Sequence, residues 1–532
     1  MADSLSQHIT EWAERIAEYA RAEGLDFYDT LFEILDAEGV NQVAAYGGFP
    51  QRYPHWRFGM EYERLRKQHT YGLGKIYEMV INNDPCYAYL LRDNMLVDQK
   101  TVIAHVYAHC DFFKNNTWFS QTNRKMMDEM ANHATRIRRY IERFGLDEVE
   151  QFIDTCLSLE NLIDPHSQFM RRGPSRSQQD GPRRVRPDKE QATRYPAKRY
   201  MERYINPADQ MADEEQRLHE AALENSGKLP PSPLRDVLLF LLEFAPLEDW
   251  QADVLSIIRK EAYYFAPQGQ TKIMNEGWAS YWHSTIMTNY CLADSELITY
   301  CEHHSGTLAT SPGRLNPYKL GIELFRDIEH RWNTGRFGLE YDRCENMEER
   351  RNWGQGQGPK DRVVGRGSPG REKIFDVRRI HNDVTFLDEF LTPEFVDDQK
   401  LYHYRFDPTT GRMVVVNRDF DRIKQQMLFM LTNHAQPYIY VLDGNYRNRG
   451  ELYLGQRYMG VDLDIKYATE TLKALHAIWG RPVHLNAVID ESPILFSYDG
   501  EQSTQQQIDE SLEPPATAID GNPAPKPNAV GF

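Results

Sequence analysis

The chain has 532 residues, 41% of them hydrophobic and 27% charged, with a formal net charge of -17. That length suffices for a large core in two or three domains, and the excess of acid argues against nucleic acid or anionic membrane as partners unless a basic patch is set apart. A mean hydropathy of -0.66, with no long apolar run, excludes a spanning helix.

Residues 1–170 read as a helical N-terminal part. The first helices carry apolar positions at Ile9, Trp12, Ile16 and Tyr19 among many acids, with no basic-then-apolar leader pattern, so a cytoplasmic location is expected. Six scattered cysteines without C-x-x-C spacing fit the same reducing compartment. A helix is expected over 75–81. Further on, His105 and His109 stand four residues apart in an apolar setting of Val102, Ile103, Val106, Phe112 and Phe113. That step returns to one helix face, so both imidazoles can point at one place, as in helical zinc sites.

Residues 171–205 form a basic insertion. Between Arg171 and Arg203 there are eleven Lys or Arg against four acids, with four prolines and no apolar periodicity. The stretch reads as a solvated linker or as a docking site for an acidic partner. Residues 206–345 are again helical and include Asn275-Glu276-Gly277-Trp278-Ala279-Ser280-Tyr281-Trp282-His283, followed by Cys301-Glu302-His303-His304. Glu276 can add an oxygen ligand to the histidine pair, with His283 two turns on. Of the adjacent histidines, His304 is the better placed to share a cleft with His283, unless both serve a helix C-terminus.

A Gly/Arg-rich linker at 346–372 precedes an expected α+β domain at 373–500. Two hairpins are expected there, 401–416 around Asp407-Pro408-Thr409-Thr410-Gly411 and 438–455 around Asp443-Gly444-Asn445. A helix over 464–479 and strands over 483–489 and 494–498 complete it. Residues 501–532 read as a disordered tail. The expected fold is thus a mainly α-helical body, a zincin-like cleft being one option, followed by a smaller α+β C-terminal domain.

Three protein ligands, His105, His109 and Glu276, with one open position are what a catalytic divalent metal needs, and the ligand types point to zinc. The competing account is a buried polar network in which the imidazoles are satisfied by carboxylates or carbonyls.

Met274 to His283 resembles the signature of the SpoVR family, the stage V sporulation protein R group. So do Ala104 to Asn116, Phe58-Gly59-Met60-Glu61-Tyr62, Lys75-Ile76-Tyr77-Glu78, Glu302-His303-His304-Ser305-Gly306 and Asn316-Pro317-Tyr318-Lys319-Leu320-Gly321. The resemblance implies a bacterial protein tied to sporulation or stress response, whose neighbours are a serine protein kinase and a von Willebrand A-domain protein. If hydrolysis occurs, another group must activate the metal-bound water: Glu78 is the first candidate by its position in the matched segments, Glu61 and Asp111 come next, and His283 and His304 are further expected catalytic side chains. Glu276-Gly277-Trp278-Ala279 is also similar to the segment bearing the distal glutamate ligand of gluzincin-type metallopeptidases. Those enzymes place a glutamate general base directly after the first histidine, where this chain has Val106. The implied function is a metal-dependent hydrolase-like protein acting on an amide, peptide or cell-wall-related substrate. The alternative is a non-enzymatic scaffold working with the kinase and the A-domain protein.

Overall fold

A helix with almost no exposed face organises the larger of two structural units. The computed structural model describes residues 2–70, 78–170, 198, 201–213, 216–217, 229–351, 353, 365 and 367–508. Unit 1 joins 1–150 to 263–435, and unit 2 joins 151–262 to 436–532. The expected domain limits followed shifts in composition, and the units divide elsewhere: residues 373–435 pack with the helical body. Among the described residues no helix is long and apolar enough to cross a membrane.

In unit 1, helix α1 (Ala2–Glu23) lies on α2 (Leu96–Asn115), which buries nearly every side chain from Val97 to Phe113. Its buried polar residues, Asp98, Gln99, Lys100, His105, His109 and Asp111 among them, therefore need partners inside the protein. Helix α2 packs on α3 (Lys272–Ile286), whose Trp278 and Trp282 are fully buried. After α4 (Leu297–Thr307) comes α5 (Pro317–Thr334), opened by an Asn316 cap and a proline in the first turn. Helices α3 and α5 meet backbone to backbone at Gly277 and Gly321, where a Cβ on Gly321 would stand 2.6 Å from the Gly277 Cα. Helices α6 (Pro369–Ile380) and α7 (Asp383–Phe390) add Ile374, Val377, Phe386, Leu387 and Phe390 to the same core.

Unit 1 also contains strands that the helical reading of 1–170 did not include. Strand β1 (Thr30–Leu35) pairs in parallel with β3 (Cys86–Leu91), and β2 (Glu78–Ile81) pairs antiparallel on the other side of β3. The helix expected over 75–81 is therefore corrected at 78–81. Met79-Val80-Ile81 suits a pleated, half-buried surface, and Val80 faces Ala88 across the ladder. Residues 75–77 and the Glu78 side chain lie outside what is described. A hairpin of β4 (His403–Asp407) and β5 (Arg412–Asn417) forms around the expected Asp407 to Gly411 turn, and it too belongs to unit 1.

Unit 2 is built on a five-stranded sheet ordered β10-β9-β8-β7-β6. Strands β6 (Tyr438–Tyr446) and β7 (Glu451–Arg457) form the second expected hairpin. Helix α8 (Ile465–Trp479) then crosses over to β8 (Val483–Ile489), which pairs in parallel with β7, the connection a parallel pair requires. Strand β9 (Ser492–Tyr498) returns antiparallel. Part of the expected disordered tail is instead strand β10 (Ser503–Gln507), paired with β9. Residues 509–532 lie outside the described residues, as does most of the basic insertion at 171–205.

A histidine and carboxylate cluster between two buried helices

Helix α2 supplies His105 and His109 and helix α3 supplies Glu276, all three buried. Among the described residues they are the one group of His, Cys, Asp and Glu side chains whose ligand atoms, within 4.8 Å of one another, could hold a metal ion. Glu276 Oε2 lies 3.5 Å from His105 Nε2 and 3.6 Å from His109 Nε2. These separations are long for hydrogen bonds. A tetrahedral zinc with bonds of about 2.0–2.1 Å has ligand-to-ligand edges of about 3.3–3.4 Å, and the two oxygen–nitrogen edges here are within tenths of an ångström of that.

The outward-facing atom of each of the three side chains is held by a neighbour. Asn275 Oδ1 lies 2.9 Å from His109 Nδ1. An amide oxygen only accepts, so Nδ1 carries the hydrogen and the Nε2 lone pair faces Glu276 Oε2. Two acceptors face each other there, and a cation between them relieves the repulsion. His105 Nδ1 lies 2.8 Å from His283 Nδ1, and His283 Nε2 lies 3.1 Å from His304 Nδ1 on α4. When His105 donates to His283 and His283 to His304, every ring is neutral and His105 Nε2 keeps its lone pair. The third neighbour is Lys272, whose Nζ donates to Glu276 Oε1.

Burial pushes the Glu276 carboxyl up, but both imidazoles and the Lys272 ammonium outweigh it and hold the group below the usual carboxylate range. Burial, then the neighbouring His105, lowers His109 to about 4 against the pull of Glu276. His283 and His304 are also lowered, burial being the main cause. At neutral pH Glu276 is anionic and His109, His283 and His304 are neutral, and neutral imidazole is the form in which histidine binds a metal.

The remaining side chains singled out in the sequence are distributed as follows. His283 is buried and touches His105 rather than Glu276, while His304 is half-buried at the outer end of the histidine line. Its neighbour His303 diverges to Asp98, with Nδ1 2.6 Å from Oδ1. Asp111 turns away from the cluster, accepting from Trp278 Nε1 at 2.8 Å and Arg378 Nη1 at 3.3 Å. Glu61 is ion-paired with Arg64 on an exposed helix. Sequence reasoning missed Asn275 and Lys272; the four-residue spacing from Lys272 to Glu276 was the available signal.

Comparison with known proteins agrees with the motifs. A protein of Escherichia coli (strain K12), named there as uncharacterized protein YcgB, is 29% identical over 522 residues, covering 92% of this chain and 93% of its own. No solved structure matches the chain. Residues 437–490 match the SpoVR-like C-terminal domain. Residues 3–436, which hold the whole cluster, match the SpoVR like protein family, and the chain belongs to that family.

Proposed function

We propose that the protein is a metal-dependent, hydrolase-like member of the SpoVR family, with a divalent ion, zinc by ligand type, held by His105, His109 and Glu276. One observation carries this reading: a buried carboxylate oxygen stands 3.5 Å and 3.6 Å from the Nε2 atoms of two buried histidines, long for hydrogen bonds and close enough to share an ion. Such an ion supplies Lewis acidity and a bound water of lowered pKa. The chain's own residues do the rest. Asn275 fixes the tautomer of His109, and a hydrogen given by His105 to His283 leaves His105 Nε2 able to bind the ion. His304, half-buried and neutral, is where a hydrogen can leave the line toward the surface. An amide or peptide bond, in the cell wall or elsewhere, is the proposed substrate class.

A second reading is favoured by position 106. Val106 is fully buried where gluzincin-like enzymes carry their base, and the carboxylates of Asp111 and Glu61 are engaged elsewhere. A scaffold that keeps the cluster for its fold, working in sporulation or stress response with a serine protein kinase and a von Willebrand A-domain protein, needs no base at all. Glu78 remains the proposed base in the hydrolase reading.

Elemental analysis of freshly purified full-length protein separates the two. The metal reading requires about one equivalent of transition metal, lost in His105→Ala and in Glu276→Ala while circular dichroism stays native. Metal-free wild type whose melting is indifferent to chelators would leave the scaffold.

A further inference from the structure

Lys272 opens helix α3 four residues before Glu276, so both side chains lie along one helix face. The lysine is 57% exposed while the glutamate it touches is 8% exposed. Two exposed charges at this spacing contribute little, but here the carboxylate is buried, so the ammonium also offsets part of its desolvation. What distinguishes this pair is which oxygen it uses. The ammonium takes Oε1, and Oε2 alone faces the two imidazoles. The Tyr318 ring of α5 lies 5.9 Å from Nζ and is itself stacked 6.3 Å from the His105 ring. The ammonium thus touches the carboxylate and lies near an aromatic ring that also borders the cluster.

A carboxylate can grip an ion with one oxygen or with both. Large, oxygen-seeking ions accept the two-oxygen mode readily and take six or more ligands, whereas zinc favours four. Resting on the metal reading above, we infer that Lys272 is a positioning residue that restricts Glu276 to one-oxygen coordination. It thereby selects a small four-coordinate ion and keeps the fourth position for water or substrate. Without the ammonium, Oε1 is free to swing onto the ion, which raises the coordination number and closes that position.

The test uses the full-length protein loaded with cobalt(II), whose visible absorption is strong in four-coordinate sites and weak in six-coordinate ones, together with competition between zinc(II) and manganese(II). Wild type should show the intense spectrum. Lys272→Met should lose most of that intensity, and its preference for zinc over manganese should fall by about 10- to 100-fold, the usual range for residues that orient a ligand. Lys272→Arg, which keeps a cationic donor, should restore both, and Lys272→Gln guards against a fault peculiar to methionine. Unchanged spectra and unchanged metal preference in Met and Gln variants that bind cobalt would overturn the role of Lys272 and leave the metal site standing. Failure of wild type itself to take up cobalt would overturn both.

Discussion

Asp383 Oδ1 accepts the backbone N–H of Met274 at 2.9 Å, while its Oδ2 accepts that of Ile273 at 2.8 Å. Helix α3 needs this because Thr271, the residue before its first turn, offers no side-chain cap; its hydroxyl donates back to Pro267. The first turn of the helix that bears Glu276 is therefore held from α7, distant in sequence. Asp383→Ala leaves two buried N–H groups unpaired, and at about 1–3 kcal/mol for each such group the variant should lose about 2–6 kcal/mol in urea denaturation. A loss under about 0.5 kcal/mol would mean that α3 does not depend on this contact.

The same carboxyl gives a pH signature. Burial pushes Asp383 up to about 7, even though both backbone donors and Lys272 pull the other way. Its pKa is raised on folding, so the protonated form is favoured in the native state. Its contribution is fully present below the unfolded value near 3.8 and is lost as pH rises through about 7. Asp383→Asn cannot titrate. The stability gap between wild type and this variant should therefore shrink by up to about 1.4 kcal/mol per pH unit between pH 5 and pH 7. Parallel stability curves would show that the side chain is ionised throughout.

Gly321 should tolerate no side chain. A Cβ there would collide with the Ile273 carbonyl as well as with Gly277, and neither is the movable end of a side chain. Forcing α3 and α5 apart costs about 1–3 kcal/mol by the usual measure of overpacking. Gly321→Ala should lower the thermal midpoint. Because Tyr318 rides on α5 and Glu276 on α3, it should also weaken metal binding more than Gly59→Ala, a site with open space around it and no left-handed backbone. Equal effects of the two substitutions would refute the close approach.

What the sequence disclosed followed from the range of each signal. The His105 and His109 spacing is a property of one helix, and the C-terminal strands announce themselves through β-branched runs flanked by turn residues. Glu276 was legible only through the motif around it. Asn275 and Asp383 act across helix pairs, and no local pattern marks a residue whose partner is fixed by tertiary packing. The polar β10, Ser503–Gln507, lacks apolar alternation and pairs with β9 through its backbone alone. Strand β2 is a short apolar run that periodicity cannot tell from a helix.

Asn275 gives the sharpest test of how the cluster is tuned. Its amide oxygen holds the hydrogen on His109 Nδ1 and so leaves Nε2 able to bind an ion. Asn275→Leu removes that acceptor, lets His109 place its hydrogen on Nε2, and should cost about 10- to 100-fold in zinc affinity measured by competition with a chelating dye. Asn275→Asp keeps an acceptor and adds charge, as in carboxylate–histidine–zinc arrangements, and should bind zinc at least as tightly as wild type. If leucine and aspartate weaken binding alike, the amide serves packing and the His109 tautomer is set by something else.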